Sequence, residues 1–206
     1  MMTSPREYRK VVLELLPEQG HLSEKDYLWL TDHTNRLIEY TDGYIEVLPP
    51  PTDEHQSILG WLVAAFRAYL LPRSAVVLFA PLRLRLPDGK IREPDLLLLR
   101  DARDPRRQNR YWTGADLVLE VVSADKPERD LVEKRREYEQ AGIPEYWIVN
   151  PLDRTLTVLA LDERGRYVEH GVFTPGMTAT SALLPDFSVE VARVFGAYVP
   201  PDEDDE

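Results

Sequence analysis

The hydrophobic pattern is densest from Ala115 to Ala124, where the chain reads ADLVLEVVSA. Leu117, Leu119 and Val121 fall on one side and Val118 and Val122 on the other, the pattern of a strand buried on both faces. Glu120 stands in the middle of it. Upstream, Ser23 predicts the cap of a helix over EKDYLWLTDH, and RLIEY and YIEVL flank the hairpin signal TDG. Thr52 caps a predicted helix from Asp53 to about Leu71, with apolar positions around most of its axis. AVVLFA and LRLRL read as strands, the second with Arg83 and Arg85 on one face and Leu82, Leu84 and Leu86 on the other. PDG is a turn, and PDLLLL opens the next strand. Beyond ADLVLEVVSA, the helix KPERDLVEKRREYEQAG ends at Gly142, and EYWIVN is another apolar strand. TLTVLAL and YVEHGVF alternate as a final hairpin. Hairpins mixed with a strand–helix–strand unit predict an α/β fold with a central mixed sheet flanked by helices.

Composition narrows this picture without redirecting it. The 206 residues are 43% hydrophobic and 30% charged, which suits one domain over residues 1–199 and an acidic, disordered tail over 200–206. Absence of cysteine excludes a disulfide framework and Cys-based metal sites. The first residues carry charges where a secretory peptide needs an apolar core, and ILGWLVAAF is too short to span a bilayer. A cytoplasmic protein without membrane contact is the expectation. A net charge of −11 argues against indiscriminate nucleic-acid binding, yet Arg83 to Trp112 holds nine Lys or Arg against five Asp or Glu. That segment is either a solvated surface loop or a basic patch.

The chemistry centres on acids in apolar surroundings. An ionised carboxylate at Glu120 needs a partner, because an unpaired buried charge is strongly unfavourable. Asp95 follows Pro94 at the start of its strand, which puts it at the sheet rim. Two such carboxylates on neighbouring strands suit Mg²⁺, with the Val121 carbonyl as a third oxygen; a salt bridge without chemistry is the rival solution. Leu131, Lys134, Tyr138 and Ala141 share one stripe of their helix, so Lys134 faces inward. It then pairs with Glu120, aims at a phosphate, or makes a surface i,i+4 bridge to Asp130. Glu39 alternates with Leu37 and Thr41 and reads as an ordinary strand glutamate. His55 reads as a capping or surface residue, and Tyr146 and Trp147 as core.

Four segments carry a resemblance: IEYTDGYIEVLPPPTDEH, APLRLRLPDGKIREPDLLLL, DLVLEVVSADKPERDLVEKRREYEQAGIPEYWIVNP and LLPDFSV. Over Ser23 to Phe195 they resemble the putative restriction endonuclease family of bacteria, within the PD-(D/E)-x-K nuclease superfamily. The resemblance implies a restriction-endonuclease-like core and metal-dependent phosphodiester hydrolysis of DNA, with Mg²⁺ or Mn²⁺ as cofactor. It puts the metal-binding acids at Asp95 and Glu120 and a further acid at Glu39. The motif's lysine is expected two residues after Glu120, where Val122 stands, so it implies a migrated lysine at Lys134. Ser123 also fits the family pattern. Arg83, Arg85, Arg106, Arg107 and Arg110 are then expected at the phosphate backbone, with Tyr111 and Trp112 for packing or stacking. DNA is the implied partner, and a homodimer is compatible with this reading. An inactive relative that binds nucleic acid or a partner is the alternative.

Overall fold

The structure is a computed structural model, and residues 17–200 are described. The acidic-tail expectation thus lies almost wholly outside the described residues. Helix α1 (Glu24–Asp32) starts at a reciprocal cap: Asp26 donates its amide to the Ser23 hydroxyl, and its carboxylate accepts the Ser23 amide. Strands β1 (Ile38–Thr41) and β2 (Tyr44–Val47) form the expected hairpin. Its turn residues Asp42 and Gly43 sit at φ 48° and 86°, the left-handed conformation that matches strand twist.

Helix α2 (Asp53–Leu70) is capped by Thr52, whose hydroxyl accepts the His55 amide. It buries Ile58, Leu59, Leu62, Phe66 and Leu70. Then follow β3 (Val76–Phe79), β4 (Leu84–Arg85), β5 (Ile91–Arg92), β6 (Leu96–Leu99) and β7 (Leu117–Val121). A crossover of one π-helical turn (Arg129–Glu133) and helix α3 (Lys134–Gln140) leads to β8 (Glu145–Asn150). Strands β9 (Thr155–Leu161) and β10 (Tyr167–Phe173) precede a small hairpin, β11 (Thr178–Thr180) with β12 (Ser188–Glu190), and helix α4 (Val191–Phe195).

The central sheet has six strands in the order β10-β9-β8-β7-β6-β3. Only β7–β8 is parallel within it, so the sheet is mixed, as expected. A second, four-stranded sheet runs β2-β1-β5-β4. Leu117, Leu119 and Val121 join the apolar layer under α2, whereas Val118 and Val122 join the layer under α3 with Tyr138 and Tyr146. Glu120 therefore points toward α3. Among the described residues, no helix is long and apolar enough to cross a membrane.

Three expectations need correction. LRLRL shortens to a two-residue strand at Leu84–Arg85, because Pro81 and Pro87 bracket it and remove ladder donors. The β9–β10 hairpin is not the last, since β11 and β12 pair beyond it. The stripe on the crossover helix is also displaced. A π turn rotates less per residue than an α turn, so Leu131 leaves the stripe and is exposed, while Asp130 lines up with Lys134 and Tyr138 and is buried.

Candidate functional site

The site lies at the end of β6 and β7. Their antiparallel register pairs Leu96 with Leu119, so the next step outward sets Asp95 beside Glu120. The Asp95 amide lies 3.4 Å from Glu120 Oε2, and Asp95 Oδ2 accepts the Val121 amide at 2.7 Å. The Thr52 cap fixes the first turn of α2, and from it His55 Nε2 reaches the same Asp95 oxygen at 3.1 Å. Asp95 and Glu120 line a cavity of about 50 Å³ together with His55, Glu93, Ser123, Arg129, Asp130 and Lys134.

Glu120 is almost fully buried, and its partners answer the question its position raises. Oε1 accepts Lys134 Nζ at 2.9 Å and the Tyr138 hydroxyl at 2.6 Å, two residues one turn apart on α3. The same Nζ stands 3.2 Å from Glu39 Oε1 and 3.2 Å from Asp130 Oδ1. One ammonium thus serves three buried carboxylates: of the alternatives for Lys134 the pairing with Glu120 is present, and its bridge to Asp130 is interior rather than on the surface. Glu39 additionally accepts the Glu93 amide and lies 3.8 Å from Arg92, which is itself held by Glu137.

These contacts leave the acids unequal. Burial alone would raise Glu39, but Lys134 and Arg92 hold it below the usual glutamate range. Burial pushes Glu120 up to about 8 against the pull of Lys134, because Asp130, Asp95 and Glu39 crowd it. Glu93 rises to about 7 for the same first reason, and burial also raises Asp130. Burial would lower Lys134, yet Glu120, Glu39 and Asp130 together carry it well above the ordinary lysine value. His55 is raised too, its hydrogen bond to Asp95 outweighing desolvation. The cluster therefore has more acid than its lysine can neutralise.

Some residues the sequence pointed to come together here, and others do not. Asp95, Glu120 and Lys134 share the cavity wall, and Glu39 joins them through the ammonium. Of the five arginines only Arg83 comes near, its Nε 3.9 Å from the cavity-lining Glu93. Arg83 and Arg110 bond to Asp32, and Arg85 is forked onto Glu24, so the acids of α1 occupy them. Arg106 is clamped by Asp104 and Asp116; Arg107 is exposed and donates to the Ala102 carbonyl. Trp112 is core rather than a stacking surface, as are Tyr146 and Trp147. His55, Glu93, Arg129, Asp130 and Tyr138 were missed as site residues. His55 was misread because a cap position predicts the backbone contact and says nothing of a ring reaching a residue 40 positions away. The spacing Asp130–Lys134–Tyr138, four residues each, was the signal available for the crossover.

Comparison with known proteins bears on the fold and the family. The chain resembles the crystal structure of a putative nuclease belonging to DUF820 from Anabaena variabilis. The TM-score is 0.65 at 20% identity, over 80% of this chain and 92% of that one. No curated protein matches. The profile of the family described as Uma2, putative restriction endonuclease, matches residues 24–192, and the chain belongs to that family.

Proposed function

Taking that membership as the premise, we propose that the protein hydrolyses phosphodiester bonds of DNA with the help of Mg²⁺ or Mn²⁺. The observation that carries this reading is the convergence of Asp95, Glu120 and Lys134 on one cavity at the sheet end. No group of three or more His, Asp or Glu among the described residues forms a ready metal cage, so the donor set offered to a hard divalent cation is the oxygen pair Asp95 and Glu120, which suits an ion that keeps several waters. The set is made of carboxylate oxygens, the site's acids outnumber the lysine, and burial holds Glu120 at about 8 for want of positive charge. Asp95 and Glu120 would hold the ion. When bound, it would polarise the scissile phosphate and lower the pKa of a water molecule.

The remaining steps belong to the chain itself. His55 and the Val121 amide fix one oxygen of Asp95, which leaves the other toward the cavity. Tyr138 and Lys134 fix Oε1 of Glu120 in the same way. Lys134 keeps its proton because three carboxylates surround it, so it offers a permanent positive charge to a phosphoryl oxygen or an attacking water. This is the task of the lysine in the PD-(D/E)-x-K pattern. Val122, where that pattern has its lysine, is packed into the apolar layer instead. Glu39 holds the Lys134 ammonium at 3.2 Å. Of Arg83, Arg85, Arg106, Arg107 and Arg110, Arg107 is the one whose guanidinium meets no carboxylate, and among those five it is the best placed to touch backbone phosphates.

The test is cleavage of supercoiled, linear and single-stranded DNA with each metal. Wild type should give product, Asp95→Asn and Glu120→Gln none, and Lys134→Met should be slower by about 10²-fold or more, the loss of one electrostatic stabiliser. Wild type that cuts no DNA form with either metal, or product that persists in Glu120→Gln, would overturn the proposal.

A further inference from the structure

Arg129 is the residue whose position the mechanism leaves without a purpose. It opens the π turn, its side chain is 9% exposed, and it lines both the cavity described above and a second one of about 190 Å³ beside Glu39, Arg92 and Glu137. Neither Nε nor Nη1 has a hydrogen-bond acceptor. The nearest carboxylate oxygen paired with it is Glu46 Oε1, 3.6 Å from Nη1, beyond hydrogen-bonding reach. Glu46 is instead engaged by Lys126. Arg92, equally buried, shows the ordinary arrangement: Nε and Nη2 bond to Glu137 at 2.8 and 2.6 Å, and Nη1 to the Tyr40 carbonyl at 3.0 Å.

A guanidinium cannot lose its proton, so a buried one with idle donors is strongly disfavoured unless acceptors fill them, and an anion is the acceptor that also offsets its charge. We propose that Arg129 is the phosphate-holding residue of the site, binding non-bridging oxygens of a nucleic-acid phosphodiester beside Asp95, Glu120 and Lys134. The proposal rests on the phosphodiesterase reading and adds to it which group receives the substrate. Planar guanidinium donors suit a tetrahedral oxyanion. The π turn supplies the placement, since it brings consecutive residues Arg129 and Asp130 inward together. Phosphate recognition then sits in the cavity and does not depend on the acid-paired arginines between Arg83 and Arg110.

Calorimetric titration with inorganic phosphate, in buffer containing Mg²⁺, tests this directly on wild type, Arg129→Gln and Arg129→Lys, each first shown folded by its melting curve. Wild type should bind, Arg129→Gln at least tenfold more weakly, and Arg129→Lys in between, because one ammonium replaces the charge but not the planar donor array. Arg129→Lys keeps the test alive should the glutamine variant fail to fold. In the DNA assay, Arg129→Gln should raise KM more than it lowers kcat. Equal phosphate affinity in all three proteins, no phosphate binding by wild type, or unchanged kcat/KM in both variants would overturn the proposal. Phosphate bound through Arg129 in a protein that cuts no DNA would instead leave Arg129 in place and remove the nuclease reading.

Discussion

Helix α2 covers one face of the six-stranded sheet with Ile58, Leu62 and Phe66, whereas the π turn and α3 bring Arg129, Asp130, Lys134 and Tyr138 to the other. Both helices bury their inner side, but by different physics. The α2 side is held by apolar burial, which is non-directional and depends on shape and area. The α3 side has an apolar layer of its own, with Val118, Val122, Tyr138 and Tyr146, and adds to it four buried carboxyl groups, at Glu39, Glu93, Glu120 and Asp130, around one ammonium and one tyrosine hydroxyl, where each group depends on the bond its neighbour makes. Regular helix geometry serves the first purpose, and the second required a turn that departs from it. Glu120 and its ammonium partner thereby lie on one face of β7, with the apolar layer under α2 on the other.

The largest effect that would break this division comes from Phe66→Ala, which removes a fully buried ring packed edge-on to Trp147 and tilted against Phe187. It should lower unfolding free energy by about 3–5 kcal/mol, measured by denaturant unfolding, with the stabilisation by Mg²⁺ unchanged. A variant that lost the cation response as well would show that the two faces are not separable. Next comes deletion of exposed Val132, which converts the π turn into an ordinary one by removing the extra residue. Arg129 and Asp130 should rotate out of register with Lys134. The protein should keep its circular dichroism but lose phosphate binding and most cleavage, and full activity in the deletion would strip the turn of its role.

A smaller effect concerns pH. In the fold Glu120 stands at about 8 and Glu93 at about 7, both raised by burial above an ordinary 4.5. The folded chain therefore holds protons that the unfolded chain releases, so this stabilisation is complete below about 4.5 and is lost as pH climbs through 7 and then 8. Metal-free protein should melt progressively lower over that interval. Glu120→Gln should flatten the upper part of the slope, and Mg²⁺ should stabilise wild type more at its alkaline end. A melting temperature that rises with pH there contradicts the assignment. The smallest effect belongs to Arg107→Ala: the salt dependence of DNA affinity should become shallower by about one unit, with stability changed by no more than about 0.5 kcal/mol. Arg85→Ala, which frees Glu24 instead of removing an available cation, should leave that slope alone.

Much of this was legible in the chain before its structure. Alternation in ADLVLEVVSA placed Glu120 inside and on the side away from Leu117, and Pro94 marked the strand start that brings Asp95 to the rim. Thr52, the Asp42–Gly43 turn and Gly142 set element ends through local backbone chemistry, which needs only neighbouring residues. What was not legible depended on distance along the chain or on a change of period. The stripe through Leu131 assumed a uniform rotation per residue, which the π turn violates. The basic count between Arg83 and Trp112 could not reveal that Asp32 and Glu24, 51 to 78 positions away, neutralise Arg83, Arg85 and Arg110. His55 and Arg129 carried no pattern at all, because their meaning lies in which acceptors they find and which they lack.

The parallel ladder between β7 and β8 has a further consequence, for the order in which the molecule comes together. Strands β8, β9 and β10 are consecutive and antiparallel, so they can zip up from near-neighbour contacts. Strands β3 and β6 close around their own segment, and β7 adds to them after the arginine-rich loop. Joining these two halves requires the crossover to be laid across the sheet first, since a parallel strand cannot arrive by a hairpin. The seam of the two halves runs along Glu120 and Ile148, and its bridge is the segment that carries Arg129, Asp130 and Lys134. The pairing of Lys134 with Glu120 is thus complete only when that ladder and its crossover are in place. A chain without that ladder could hold strands on either side of the seam but would leave Lys134 and Glu120 apart.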